Sequence, residues 1–321
     1  MKPNSVYGQI FVQALKKTWH HKRLWLIGIP ASFMASGGLF EAISGNWQTA
    51  LNGRVLIEQT INGALPGYQW FVTYQRYLGD LTPVHQYSIL IFLCLAIVAG
   101  ILIGAISQGA LFSGALEKQT VGFVQLFKKG YCFFGRVLGL DILAKLALAG
   151  LFLITVAPVA FLNPLPYSWY KYPPVISLVV FLIGAIFITA IQMLALSGVV
   201  RKHLNVRGAL AEAWDIFRFH ILTTIEIGVL LFLSSVVAAL ILLVSLLVAA
   251  IPLTFLFVLA TFLTAPIFYV LAIFISFAVV IALMLLISGW LTAFQYTVWS
   301  MYFEEADRFG VVSKIRKWLR F

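Results

Sequence analysis

Charge is what this sequence has least of. Only 10% of its 321 residues are Asp, Glu, Lys or Arg, against about 25% in an ordinary soluble domain. Hydrophobic residues make up 62% of the chain, and the mean hydropathy is +0.99. A fold of this length has too little interior to hide that much apolar surface from water. The deficit therefore excludes a water-soluble globular protein and makes lipid the natural solvent. Cysteine is scarce too. Cys94 and Cys132 are the two in the chain, and their spacing excludes a disulfide framework or a cysteine-based metal site. Motifs of catalysis are absent: there is no HExxH, no GxSxG and no GxxxxGK[ST]. His20, His21, His85, His203 and His220 fall outside the apolar runs or at their ends. The expectation is a protein that is not an enzyme and carries no metal or cofactor.

What the chain does have is long apolar runs. A spanning helix needs about 20 mostly apolar residues, and six stretches qualify: 24–44, 88–116, 136–161, 174–200, 220–250 and 267–302. The second, fifth and sixth exceed the hydrocarbon thickness and should tilt or project into water. The further apolar stretch 251–266, bounded by Pro252 and Pro266, reads as a re-entrant turn, a capping loop or a short seventh span. The first run follows Lys16, Lys17, Lys22 and Arg23, contains Pro30 and ends near Glu41 without a small-x-small cleavage site. It reads as an uncleaved span rather than a signal peptide.

The basic residues give the orientation. The net charge is +11, and 18 of the 22 Lys and Arg lie in 1–23, 117–136, 201–219 and 303–321. Arg54, Arg76 and Lys171 lie on the opposite side, and Lys145 falls inside a span. Charges placed at span ends point to anionic headgroups and topology, not to nucleic acid. The positive-inside rule then puts both termini in the cytoplasm of a plasma (bacterial inner) membrane. The outer segments 163–173 and 68–77, the latter within the long loop 45–87, are rich in aromatics suited to the interface.

Three basic-side segments resemble one another: ALKKTWHHKR at 14–23, LFKKGYCFFGR at 126–136 and ALAEAWDIFR at 209–218. Each has an apolar residue four positions before an aromatic: Leu15 and Trp19, Phe127 and Tyr131, Leu210 and Trp214. That spacing lies on one helical face, so each segment reads as a short amphipathic helix in the inner interface. Three spans also end on Gln, four residues, then Ser: Gln108 and Ser113, Gln192 and Ser197, Gln295 and Ser300. The expected fold is all-α and integral to the membrane, a single domain over 1–321. It has about six transmembrane helices in three parallel repeats, near 6–118, 120–203 and 205–305, forming a pseudo-threefold bundle. Residues 306–321 are expected to add a basic interfacial helix.

The ALxxxW segments at Ala14–Trp19 and Ala209–Trp214, together with the closing FQYTVWSMYFEEADR at 294–308, resemble a broad group of bacterial multi-pass proteins of mostly unknown function. That group includes the membrane domain fused to some glycerophosphoryl diester phosphodiesterases. The resemblance covers the membrane part only. It implies an all-helical membrane fold and no phosphodiesterase activity.

Ionisable groups inside a span are costly and count as functional candidates. Asp141 and Lys145 lie four apart in the third span, acid first, as a neutralising pair on one face. Glu226 lies in the fifth span with no acid-base partner in its own helix, and Glu41 lies at the outer end of the first. Aligning the repeats puts Thr224, not Glu226, opposite Asp141. The Gln and Ser of each repeat are about 140° apart around a helix, so one helix does not aim both at one ligand. Gln108, Gln192 and Gln295 either bond between helices or form a polar ring about the pseudo-axis. Gly100 and Gly104 make a GxxxG pattern that favours close helix packing.

Two functions follow as expectations. The first is a non-enzymatic protein that engages lipids, with anionic headgroups on the cytoplasmic side as partners, or that organises the bilayer. The alternative is a transporter or channel for a small or lipid-like solute, using the intramembrane polar residues. Anchoring a partner complex is a third class, for which the sequence specifies no protein partner.

Overall fold

The computed structural model describes residues 6–35, 83–117, 122–155, 172–262 and 266–309. Among the described residues there are eight helices and no strand. They are α1 (Val6–His20), α2 (Arg23–Ala35), α3 (Pro83–Leu116), α4 (Phe123–Thr155), α5 (Tyr172–Lys202), α6 (Val206–Phe219), α7 (Ile221–Phe262) and α8 (Pro266–Phe309). Helices are what such a sequence must form in lipid, because they satisfy every backbone polar group within the segment. Pro83 and Pro266 stand at first helical positions, where the missing N–H has no partner to lose.

Five helices, α3, α4, α5, α7 and α8, are long and apolar enough to cross a membrane. The expected first span is helical over Arg23–Ala35 and shorter than a crossing; its remainder, with Glu41, lies outside the described residues. So do the outer segments 163–171 and 68–77 and the C-terminal segment from 310.

Two boundaries differ from the sequence reading. The segment 126–136 is not a separate interfacial helix but the first part of α4, which runs unbroken from Phe123. Its Gly130 is buried against α3, where a Cβ would sit 2.2 Å from the Ile106 carbonyl oxygen. Packing thus holds the segment in line with the span. The stretch from 251 is not re-entrant either: α7 carries on through Pro252 to Phe262. At about 1.5 Å per residue, the 42 residues of α7 and 44 of α8 are each roughly twice the ~30 Å hydrocarbon thickness.

The inner helices α3, α5 and α8 touch one another pairwise. Around them, α2 lies against α8 and α3, α4 against α3 and α5, and α7 mainly against α8. The buried core collects in the C-terminal parts of the inner three: Leu111 and Phe112 of α3, Leu194 and Leu196 of α5, Tyr302 and Phe303 of α8. The Phe112 and Tyr296 rings meet at 4.9 Å between centroids. Outward faces are largely apolar, as with Leu90, Phe92, Leu233 and Phe274, which suits contact with lipid tails.

Two crossings bring backbones together. A Cβ on Gly28 of α2 would lie 2.1 Å from the Gly289 oxygen of α8, and one on Gly289 would lie 2.5 Å from the Trp25 oxygen. The second is Gly130 of α4 against Gly109 and Ala110 of α3. Of the GxxxG pair, Gly104 packs on Met34 while Gly100 faces open space.

Candidate functional site

Two polar regions stand out from the apolar bundle. One is its charged end, where α1, α3, α4, α5, α6 and α8 meet. Lys17 of α1 donates to the carbonyls at the end of α3, Ala115 and, at 2.7 Å, Glu117. A cation at a helix C-terminus is favoured by the helix dipole and satisfies carbonyls left without an intrahelical donor. Burial holds the Lys17 ammonium below the usual lysine range, with Glu117 and Glu304 acting the other way. Glu117 also pairs with Lys129 of α4. Arg201 of α5 pairs with Glu304 of α8 at 2.7 Å. Lys202 joins Glu212 of α6 and, at 2.9 Å, Asp307 of α8. Past the end of α5, His203 adopts the left-handed region, φ 56°, and its carbonyl accepts from Arg136 of α4 at 2.8 Å.

The three recurring segments sit at this end with the same facing. Trp19, Tyr131 and Trp214 point outward, 58%, 68% and 53% exposed, while the residues directly before them, Thr18, Gly130 and Ala213, are buried. Lys16, Lys22, Arg23, Lys128, Arg207 and Arg218 are exposed around them. None of these six takes part in the four ion pairs among the described residues. Trp25 Nε1 donates to the Thr18 carbonyl at 2.8 Å and so fixes α1 against α2.

The second region lies inside the bundle. Asp141 of α4 is 1% exposed, and its Oδ1 accepts from Gln192 Nε2 of α5 at 2.6 Å. Gln108 of α3, also 1% exposed, lies beside the same carboxyl. Neither of its amide atoms completes a hydrogen bond of normal geometry. Tyr296 of α8, again 1% exposed, is close enough for the two groups to interact electrostatically. Asp141 Oδ2 and the Tyr296 hydroxyl are likewise buried without a hydrogen-bond partner. Gln108 and Gln192 are nine residues, and Tyr296 eight, from the charged ends of their helices at Glu117, Arg201 and Glu304. That is roughly 12–14 Å along the axis.

The expected Asp141–Lys145 ion pair does not form. Lys145 is exposed, and its Nζ lies 3.7 Å from Met34 Sδ and outside salt-bridge distance of the carboxyl. Nor do the three glutamines make one ring: Gln295 donates instead to Ser235 of α7 at 2.9 Å. Ser113 and Ser197 bond back to the carbonyls of Gly109 and Met193 in their own helices, and Ser300 is buried. Thr224 bonds to the Tyr302 hydroxyl at 2.8 Å, so the position aligned with Asp141 is occupied by a neutral contact. Glu226 is half-buried on α7. Sequence reasoning missed Tyr296. The signal was available: it directly follows Gln295 of the repeat, and a buried tyrosine needs a partner for its hydroxyl. Among the described residues, no group of three His, Cys, Asp or Glu side chains is placed to hold a metal ion. Comparison with known proteins gives no matching family model, no matching curated protein and no matching solved structure.

Proposed function

We propose that this chain is a non-enzymatic membrane protein whose charged end gathers anionic lipid headgroups. One observation carries the reading. Three outward aromatics, Trp19, Tyr131 and Trp214, share the charged end with six exposed cations in no ion pair among the described residues. Amphipathic rings settle at headgroup depth, and each surface Lys or Arg attracts anionic lipid by about 1 kcal/mol. The buried Thr18, Gly130 and Ala213 let the segments pack closely while keeping the aromatics outward. The pairwise contact of α3, α5 and α8, with α2, α4 and α7 outside them, supports three parallel repeats in a pseudo-threefold bundle. On this reading the apolar run 24–44 counts as a sixth span, and the charged end faces the cytoplasm of the inner membrane.

The test is lipid retention. The full chain is purified from a mixture of phosphatidylglycerol and phosphatidylcholine, and its bound lipids are counted by native mass spectrometry. Phosphatidylglycerol should be enriched. Substituting Lys16, Lys22, Arg23, Lys128, Arg207 and Arg218 with Gln should weaken its binding roughly a hundredfold or more, given the per-charge attraction. Equal retention of both lipids, or enrichment unchanged in the variant, contradicts the proposal. Transport of a small solute is the second reading, and the buried Asp141 cluster is the observation that favours it.

A further inference from the structure

We infer that the cluster of Asp141, Gln108, Gln192 and Tyr296 binds a single positive charge, an alkali-metal cation or a proton, within the bundle. The donors come from four helices, α4, α3, α5 and α8, so the site depends on the assembled core. The carboxyl is held on one side only. Gln192 Nε2 fixes Oδ1 at 2.6 Å, while Oδ2 has no hydrogen-bond partner. The hydroxyl of Tyr296, 1% exposed, is also without one, and the Gln108 amide, beside the carboxyl, completes no bond of normal geometry. Buried polar groups of proteins are nearly always satisfied, and a group of exceptions at one place calls for a cause.

The chemistry of the exceptions selects the ligand. A buried carboxylate needs a compensating positive charge. The nearest side chain that supplies one, Lys145, sends its Nζ to Met34 Sδ and makes no ion pair with it. The groups brought together here offer hard oxygens: a carboxylate, an amide carbonyl and a phenol. Such oxygens suit small hard cations or a proton shared between them. A half-turn of the Gln108 amide lets it present either its oxygen to a metal cation or its N–H₂ to an oxygen. The titratable and charged groups that act on Asp141 are Lys145 from its own helix and Tyr296 from α8; α3 and α5 contribute the neutral Gln108 and Gln192. Ionisable groups so placed in membrane helices commonly mark ion and proton pathways.

The experiment is a melting series on the full-length protein in lipid nanodiscs. Sodium chloride is exchanged for choline chloride at constant ionic strength, and separately the pH is stepped from acid to alkaline in choline alone. A rise in Tm with sodium that Asp141→Asn abolishes assigns a metal cation. A pH-dependent Tm in choline that Asp141→Asn flattens, together with an Asp141-dependent protonated-carboxyl band in the infrared spectrum, assigns a proton. Tyr296→Phe removes one oxygen and leaves the ring packing intact. It should weaken sodium binding by about tenfold or shift the pH midpoint, as loss of one hydrogen-bonding group on a buried charge does. It serves also where Asp141→Asn fails to fold. A wild-type Tm indifferent to both sodium and pH overturns the inference, as does a response that survives in the Asp141→Asn or Tyr296→Phe protein unchanged.

Discussion

Gly28→Ala should unfold or severely loosen this protein, whereas Gly100→Ala should leave it as stable as before or slightly more so. Both substitutions add one methyl group to a glycine in an apolar helix, and they differ only in what the methyl meets. At Gly28 it meets the Gly289 backbone at 2.1 Å, a group with no rotamer to move aside; at Gly100 it meets nothing within 4 Å. Forcing α2 and α8 apart costs about 3 kcal/mol and opens the packing that α2 makes with both α8 and α3. At the open position, alanine instead gains roughly 0.5–1 kcal/mol from the smaller backbone entropy lost on folding. Melting temperature and the monodisperse fraction on size exclusion read both outcomes. Equal behaviour of the two variants would refute the crossing. In membranes, where lipid tails compete on equal terms with apolar side chains, close backbone contact is a main source of helix association, which is why so small a change has so large an effect here.

The second large effect concerns the buried carboxyl. Gln192→Leu removes the donor bonded to Asp141 Oδ1 at 2.6 Å and leaves that oxygen unsatisfied in a low-dielectric core. The expected loss is about 2 kcal/mol, the usual value of a hydrogen bond to a charged group. The double variant Gln192→Leu with Asp141→Leu removes the unsatisfied group along with its donor, and so should recover much of that loss. A double-mutant cycle of unfolding free energies measures the coupling. Strictly additive losses would mean that the two side chains do not act as a pair.

Five of the six expected spans were legible as long apolar helices because hydropathy alone dictates them, and the charged end because Lys and Arg cluster at one set of helix ends. Gln108 and Gln192 were legible as recurring positions. Their convergence on Asp141 was not, since it depends on how three helices rotate when they pack. The Asp141–Lys145 pairing failed for a related reason. Positions four apart differ by about 40° around the axis, enough to bury Asp141 in the core while Lys145 lies exposed. The lysine's long chain then settles on Met34. Gly28 and Gly289 carry no local motif, for their meeting spans more than 250 residues of sequence, whereas the visible GxxxG supplies one contact in Gly104 and none in Gly100. The continuity of α4 was hidden because its first part looks like α1 and α6. Those helices end at His20 and Phe219, just before the turns at His21 and His220, but nothing interrupts α4 at the equivalent place.

On the proposed reading the bundle crosses the membrane with its charged end at the cytoplasmic surface, and the two native cysteines test this most directly. Both are exposed. Cys132 belongs to the charged end, its Sγ 3.4 Å from the Lys128 carbonyl, and Cys94 lies on the apolar outward face of α3. A charged, membrane-impermeant maleimide should modify Cys132 in inside-out vesicles and not in intact cells, and should leave Cys94 untouched in both. Labelling of Cys132 in intact cells, or of Cys94 by the charged reagent from either side, would contradict the account.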